Sequence, residues 1–164
     1  MAITTITAAG AAPAPVRNRQ AILDVAECIE SFPENYDPCT YWIGTPINLG
    51  AEIQNITMDD GRVFENVPMG ETQDIVGWTC LLNGWVPDNG WVPDISKHDG
   101  GTWWRKSDGT PFRGTDIAQK ALGLTAAEAR RLFGISWVPG ASKGKTLVVQ
   151  TVNALHEIAN GGKL

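Results

Sequence analysis

The soft metal ligands of the sequence are Cys28, Cys39, Cys80, His98 and His156. None forms a C-x-x-C or H-x-x-x-H pair, the close spacing on which structural zinc draws, so no metal site and no cofactor is expected. The thiols read instead as small buried hydrophobes. A Cys80–His98 nucleophile pair would need a thiolate, and Cys80 lies in an apolar helical stretch where burial raises a thiol pKa. A second group combines Trp85, Trp91, Trp103 and Trp104 with Asp88, Asp94 and Asp99. Stacking aromatics beside paired carboxylates is the chemistry of glycoside hydrolysis, but no Glu stands among them to serve as the shifted acid. Tryptophan is also the largest apolar filler. Trp78 and Trp85, at helical spacing, are expected in the core. Trp91, Trp103 and Trp104, in a polar loop with Asp94, are expected to face a ligand or partner.

The segment Gly140-Ala141-Ser142-Lys143-Gly144-Lys145-Thr146 resembles a phosphate-binding loop entering a helix. That pattern needs four residues between its glycines, whereas three separate Gly140 from Gly144, and only 18 residues follow Thr146. No downstream strand can then carry a magnesium-binding Asp, so nucleotide hydrolysis is not expected. Lys143 and Lys145 remain candidate contacts for an anion at the helix end. No catalytic residue is assigned.

The elements that must position these groups are arranged around Thr72–Trp85. Ile75, Trp78, Leu82 and Trp85 recur at three- and four-residue spacing, and Val76, Thr79 and Cys80 widen the stripe. This predicts a helix buried on most of its circumference. Thr72 is the expected N-cap, with Asp74 in the first turn suiting the helix dipole. Ahead of it, Val16–Ser31 predicts a helix with Ile22, Leu23, Ala26 and Ile29 on one face, ended by Pro33. An aromatic loop, residues 34–42, is expected to pack on the central helix. Ile53–Thr57 and Arg62–Val67 flank Met58-Asp59-Asp60-Gly61, a β-hairpin signal because Gly61 can supply the positive φ of the turn.

Beyond the central helix, Gly84-Trp85-Val86-Pro87-Asp88 recurs as Gly90-Trp91-Val92-Pro93-Asp94. Two copies are too few for a solenoid, and the stretch as far as Phe112 reads as a long polar loop. Thr115–Leu122 predicts a helix closed by Gly123. Thr125-Ala126-Ala127-Glu128 is a capping box opening a helix to Phe133, stopped by Gly134. A last helix runs from about Lys145 to Ala159, with Val148, Val152, Leu155 and Ala159 on one face. The expected fold is therefore mainly α, about five helices around a central Trp-rich helix, with a small β-hairpin. It forms one domain, 16–164, behind an Ala/Pro-rich flexible or docking arm, 1–15.

Seven tryptophans and 43% hydrophobic residues suffice for a core. The net charge of −5 argues against duplex nucleic acid, which calls for a positive field. An odd count of three cysteines speaks against a disulfide framework and for a reducing compartment. No apolar run approaches the ~18 residues of a membrane span, and 1–16 lacks the basic and apolar regions of a secretory signal.

The order of pieces carries a resemblance. Tyr36-Asp37 with Trp42, Cys80-Leu81-Leu82-Asn83-Gly84-Trp85, and Ala118 to Leu124-Thr125 with Glu128-Ala129 and Leu132-Phe133 resemble a group of small helical proteins of actinobacteria, their phages and mobile elements. That group has the patterns F-D-M-x-x-W, C-G-T-x-x-C-I-A-G-W-A and A-x-x-x-L-G-L-T-x-x-E-A-x-x-L-F. The resemblance spans about residues 16–160. Ile75 stands where the group has its first Cys, Val76-Gly77 replace Gly-Thr, Pro38 replaces Met, and Trp42 falls one residue late. A site needing two cysteines is thus absent, and the resemblance transfers no catalytic residue. It implies a phage-associated, mainly helical domain. The expectation is a non-enzymatic binding or interaction protein, in the bacterial cytoplasm or in a virion. Its partner is a protein or further copies of itself in preference to a small ligand. The alternatives are a structural component of a phage particle docked through 1–15, and a hydrolase using the Trp/Asp loop.

Overall fold

The structure, a computed structural model, describes residues 15–38, 50–70, 72–87, 103–106, 109, 112–134 and 145–163, with backbone alone at 103, 145 and 146. The expected arm, 1–15, lies outside these but for Pro15, and Cys39, Tyr41 and Trp42 lie outside them altogether.

The first helix, α1 (Arg19–Ser31), begins three residues later than its apolar pattern suggested, because Asn18 caps it by accepting from the Ala21 amide at 3.2 Å. Its buried face is Ile22, Val25, Ala26, Cys28 and Ile29, packed principally on the last helix. Pro33 does not simply stop the chain; it opens a 3-10 turn, Pro33–Asn35. Tyr36 is buried, and its hydroxyl bonds Thr151 Oγ1 at 3.1 Å.

The ribbon is as its turn chemistry dictates. Strands β1 (Ile53–Thr57) and β2 (Val63–Pro68) pair antiparallel around Gly61, whose φ is +86°. Ile56, Met58 and Val67 face inward. The ribbon is pinned to α1 by Arg62, which forks onto Asp24.

The central helix, α2 (Ile75–Leu82), has Ile75 through Leu81 all buried. It is shorter at both ends than expected. Thr72 is not its cap: Asp74 Oδ1 accepts from the Gly77 amide at 2.8 Å, taking the N-cap role. At the other end Gly84, with φ +73°, turns the chain, so Trp85 lies outside the helix. Trp78, fully buried, stacks on Phe32 with centroids 5.7 Å apart.

The chief correction to the expected fold is a second sheet. Strands β3 (Val86–Pro87), β4 (Trp103–Arg105) and β5 (Phe112–Arg113) form an antiparallel sheet in that order. The fold is mixed α and β, with five helices and two small antiparallel sheets among the described residues. Segments of two or three residues are too short to show a period of two, so these strands leave no signature in the sequence.

Helix α3 (Gly114–Leu122) packs on α2 and ends at Gly123, whose φ is +64°. A Cβ there would lie 2.0 Å from the Val16 carbonyl oxygen, so glycine is required on two counts. Helix α4 (Ala126–Phe133) carries the full capping box of Thr125 and Glu128. Helix α5 (Lys145–Ala159) buries Leu147, Thr151, Val152, Leu155, Ile158 and Ala159, while Val148 is only half-buried.

Arg17 closes the assembly. Its guanidinium donates to Glu128 and to the carbonyls of Ile158 and Gly162, at 3.0 and 2.6 Å, joining the start of α1 to α4 and to the carbonyl end of α5. The Thr125 backbone amide, and then Arg17, hold the Glu128 carboxyl down at about 2.

Candidate functional site

Trp85 and Trp104 occupy each other's expected places. Trp104, expected on a ligand surface, is fully buried. Its indole lies over Gly114, where an added Cβ would come within 2.6 Å of Nε1 and 3.0 Å of Val76 Cγ1. Trp85, expected in the core, is half-buried at the edge of the second sheet. The physical cause is local at both positions: Gly84 rotates Trp85 off the buried face of α2, and strand alternation turns Trp104 toward α2 and α3.

Register then builds a surface. Trp104 pairs with Phe112 and Pro87, so these share one side of the sheet, whereas Arg105 and Arg113 are on the other. Phe112 stands edge-on to Trp85, with centroids 5.6 Å apart and planes at 87°. The Lys106 ammonium lies 5.4 Å from the Trp85 ring centroid. Phe112 keeps 51% of its surface exposed. A half-exposed phenyl ring held against a tryptophan, with a cation over the indole, suits apolar and cation–π contact with a partner. Among the described residues, Trp85, Phe112 and Lys106 bring no carboxyl, imidazole, thiol or hydroxyl group to it.

Of the other candidates, Trp91, Asp94 and Lys143 lie outside the described residues, as do Asp88, Asp99 and His98. Trp103 is a backbone member of β4, paired with Arg113, and Lys145 is the first residue of α5. Lys106 and Phe112 belong to no motif of the sequence and join the surface only through the fold. The available signal is that aromatic residues are followed directly by cationic ones in Trp103-Trp104-Arg105-Lys106 and Phe112-Arg113.

Among the described residues, Cys28, Cys80 and Asp74 are enclosed. Burial, aided by Glu27 and Asp24, pushes the Cys28 thiol up to about 12, and burial also raises Cys80 well above the ordinary thiol range. Cys80 Sγ donates to the Gly114 carbonyl at 3.7 Å. Burial pushes the Asp74 carboxyl up to about 8, against the opposing pull of the Gly77 and Val76 amides. A carboxyl so shifted often marks an active site. Here it is 5% exposed and committed to capping α2. Among the described residues no group of three or more His, Cys, Asp or Glu side chains is placed to share a metal ion, and no helix is long and apolar enough to cross a membrane.

Comparison with protein families, with curated proteins and with solved structures finds no match to this chain.

Proposed function

We propose that this is a non-enzymatic binding protein, an accessory factor of a phage or mobile element, that engages a protein partner through the Trp85–Phe112–Lys106 surface. The observation that carries the reading is the exposure of Phe112 beside Trp85 on a short sheet braced by buried Trp104. Interfaces concentrate their binding energy in a few aromatic and cationic anchors on rigid supports. The enclosure of Cys28, Cys80 and Asp74 supports a role without turnover. The phage association rests on the sequence resemblance.

The test is affinity capture from an actinobacterial lysate, with wild type beside Phe112→Asp. The expected result is one protein retained at stoichiometric level by wild type and reduced about 30-fold by the variant, corresponding to about 2 kcal/mol at a hot spot. Equal retention by both would defeat the reading.

A second reading, a structural component of a phage particle, draws on the anchoring of Arg17. The bonds from Arg17 to Glu128, Ile158 and Gly162 tie the chain to the helical layer just after 1–15 ends. Deleting 1–15 should then abolish incorporation into particles and leave binding through Phe112 unchanged.

A further inference from the structure

A cleft of about 360 Å3 opens between the 3-10 turn Pro33–Asn35 and the ribbon, apart from the Trp85–Phe112 surface. Among the described residues its apolar lining includes Phe32 and Met69. The Phe32 ring is a fixed platform, because its stacking on buried Trp78 sets its plane at 25° to the indole. The wall is also set: Asn35 Nδ2 donates to the Gly70 carbonyl at 3.0 Å, and the Met69 amide donates to the Glu52 carbonyl at 2.8 Å.

Two carboxylates, Glu34 from the 3-10 turn and Glu52 from the lead-in to β1, share this lining, and both residues are exposed. Glu52 accepts from the Gln54 amide. Neither has a cationic partner among the described residues, whereas Asp24 and Glu128 are matched by Arg62 and Arg17. Among the described residues no Lys or Arg lines the cleft. An anion is therefore repelled, and a neutral apolar group would strip water from the carboxylates without replacing it. The volume is near the lower bound of ligand sites, roughly 300 Å3, and so suits a side chain.

We propose that this cleft receives an arginine side chain of a protein partner, with the guanidinium over Phe32 and between Glu34 and Glu52. A guanidinium is planar, weakly hydrated, able to stack on an aromatic face and to fork onto carboxylates, which an ammonium does not match. Charge complementarity extends to the whole chain, whose net charge is −5. The assignment is independent of the Trp85–Phe112 surface and survives if that surface binds nothing.

The test is an amide-shift NMR titration of the full chain with N-acetyl-arginine methylamide at low salt. The same titration is run with the neutral citrulline analogue and with the lysine analogue. The expected result is saturable shifts centred on Asn35 and Gly70 with the arginine probe in the millimolar range, weaker with lysine and absent with citrulline. Glu34→Gln with Glu52→Gln, both at exposed positions, should weaken the arginine probe about tenfold, with the remaining spectrum unchanged as a control on folding. An equal response to citrulline, a lysine response matching arginine, shifts without saturation, or an unaffected double variant would each overturn the proposal.

Discussion

The guanidinium of Arg62, in the turn of the ribbon, forks onto the carboxylate of Asp24, in the middle of α1: Nη1 lies 3.0 Å from Oδ2 and Nη2 lies 2.5 Å from Oδ1. The two residues are 38 apart in sequence, and Asp24 is 6% exposed. A two-stranded ribbon is marginal alone, so this fork and the inward Ile56, Met58 and Val67 hold it on the helical layer. Asp60, itself exposed, steadies the same arginine from within the turn at 2.7 Å.

Removing the arginine alone should therefore be worse than removing the pair. Arg62→Leu leaves the Asp24 carboxylate buried without its countercharge, although Gln20 Nε2 still donates to it at 2.9 Å, whereas Arg62→Leu with Asp24→Asn leaves no buried charge there. The expected thermal midpoints run wild type, then the double variant, then Arg62→Leu lowest. Additive losses in the double variant would show that the fork is not coupled.

Asp74 should make the protein lose stability as the pH rises from about 4 to about 8. Its folded pKa, about 8, lies above the ordinary 3.8. Between these values the folded state holds a proton that the unfolded chain has released, so the folded state binds more protons and stability falls as pH rises. The contribution is whole below about pH 3.8 and gone above about pH 8. Asp74→Asn keeps a good N-cap on the Gly77 amide and removes the titration. Thermal midpoints measured from pH 4 to pH 9 should show a flatter profile for the variant and a higher midpoint at pH 8. An unchanged slope would place the titration elsewhere. Asp74→Ala, which loses the cap as well, should cost about 1 kcal/mol at acidic pH.

Gly114 marks the tightest approach in the site's foundation. An alanine methyl would sit 2.6 Å from Trp104 Nε1, 2.8 Å from its Cδ1 and 3.0 Å from Val76 Cγ1. Overpacking of this kind costs about 2 kcal/mol. Because Trp104 supports Phe112 across the strand pair, Gly114→Ala should also weaken partner capture while Phe112 itself is intact. Wild-type stability in urea denaturation would mean that the indole moves aside freely.

What the sequence determined by itself is every feature whose cause lies within a few residues. The Thr125–Glu128 capping box, the left-handed closure at Gly123, the Asp-Gly turn of the ribbon and the buried stripe through Trp78 all follow from local bonding or helical period. The central cap shows the limit of this reading. Thr72 and Asp74 are both competent caps by type, and only the backbone course through the Tyr36–Gln73 bridge aligns Asp74 with the Gly77 amide. Tertiary structure alone decided the second sheet and, with it, the exchange of roles between Trp85 and Trp104. Strands of two or three residues have no period to read, and β3 and β4 pair across a long separation, so their formation depends on the packing of Trp104 against Gly114 and not on local preference. The Arg62–Asp24 fork and the Arg17 anchor share that origin. A charged side chain does not announce its partner when the contact is made through the folded chain, and burial, which makes the pairing necessary, exists only after folding.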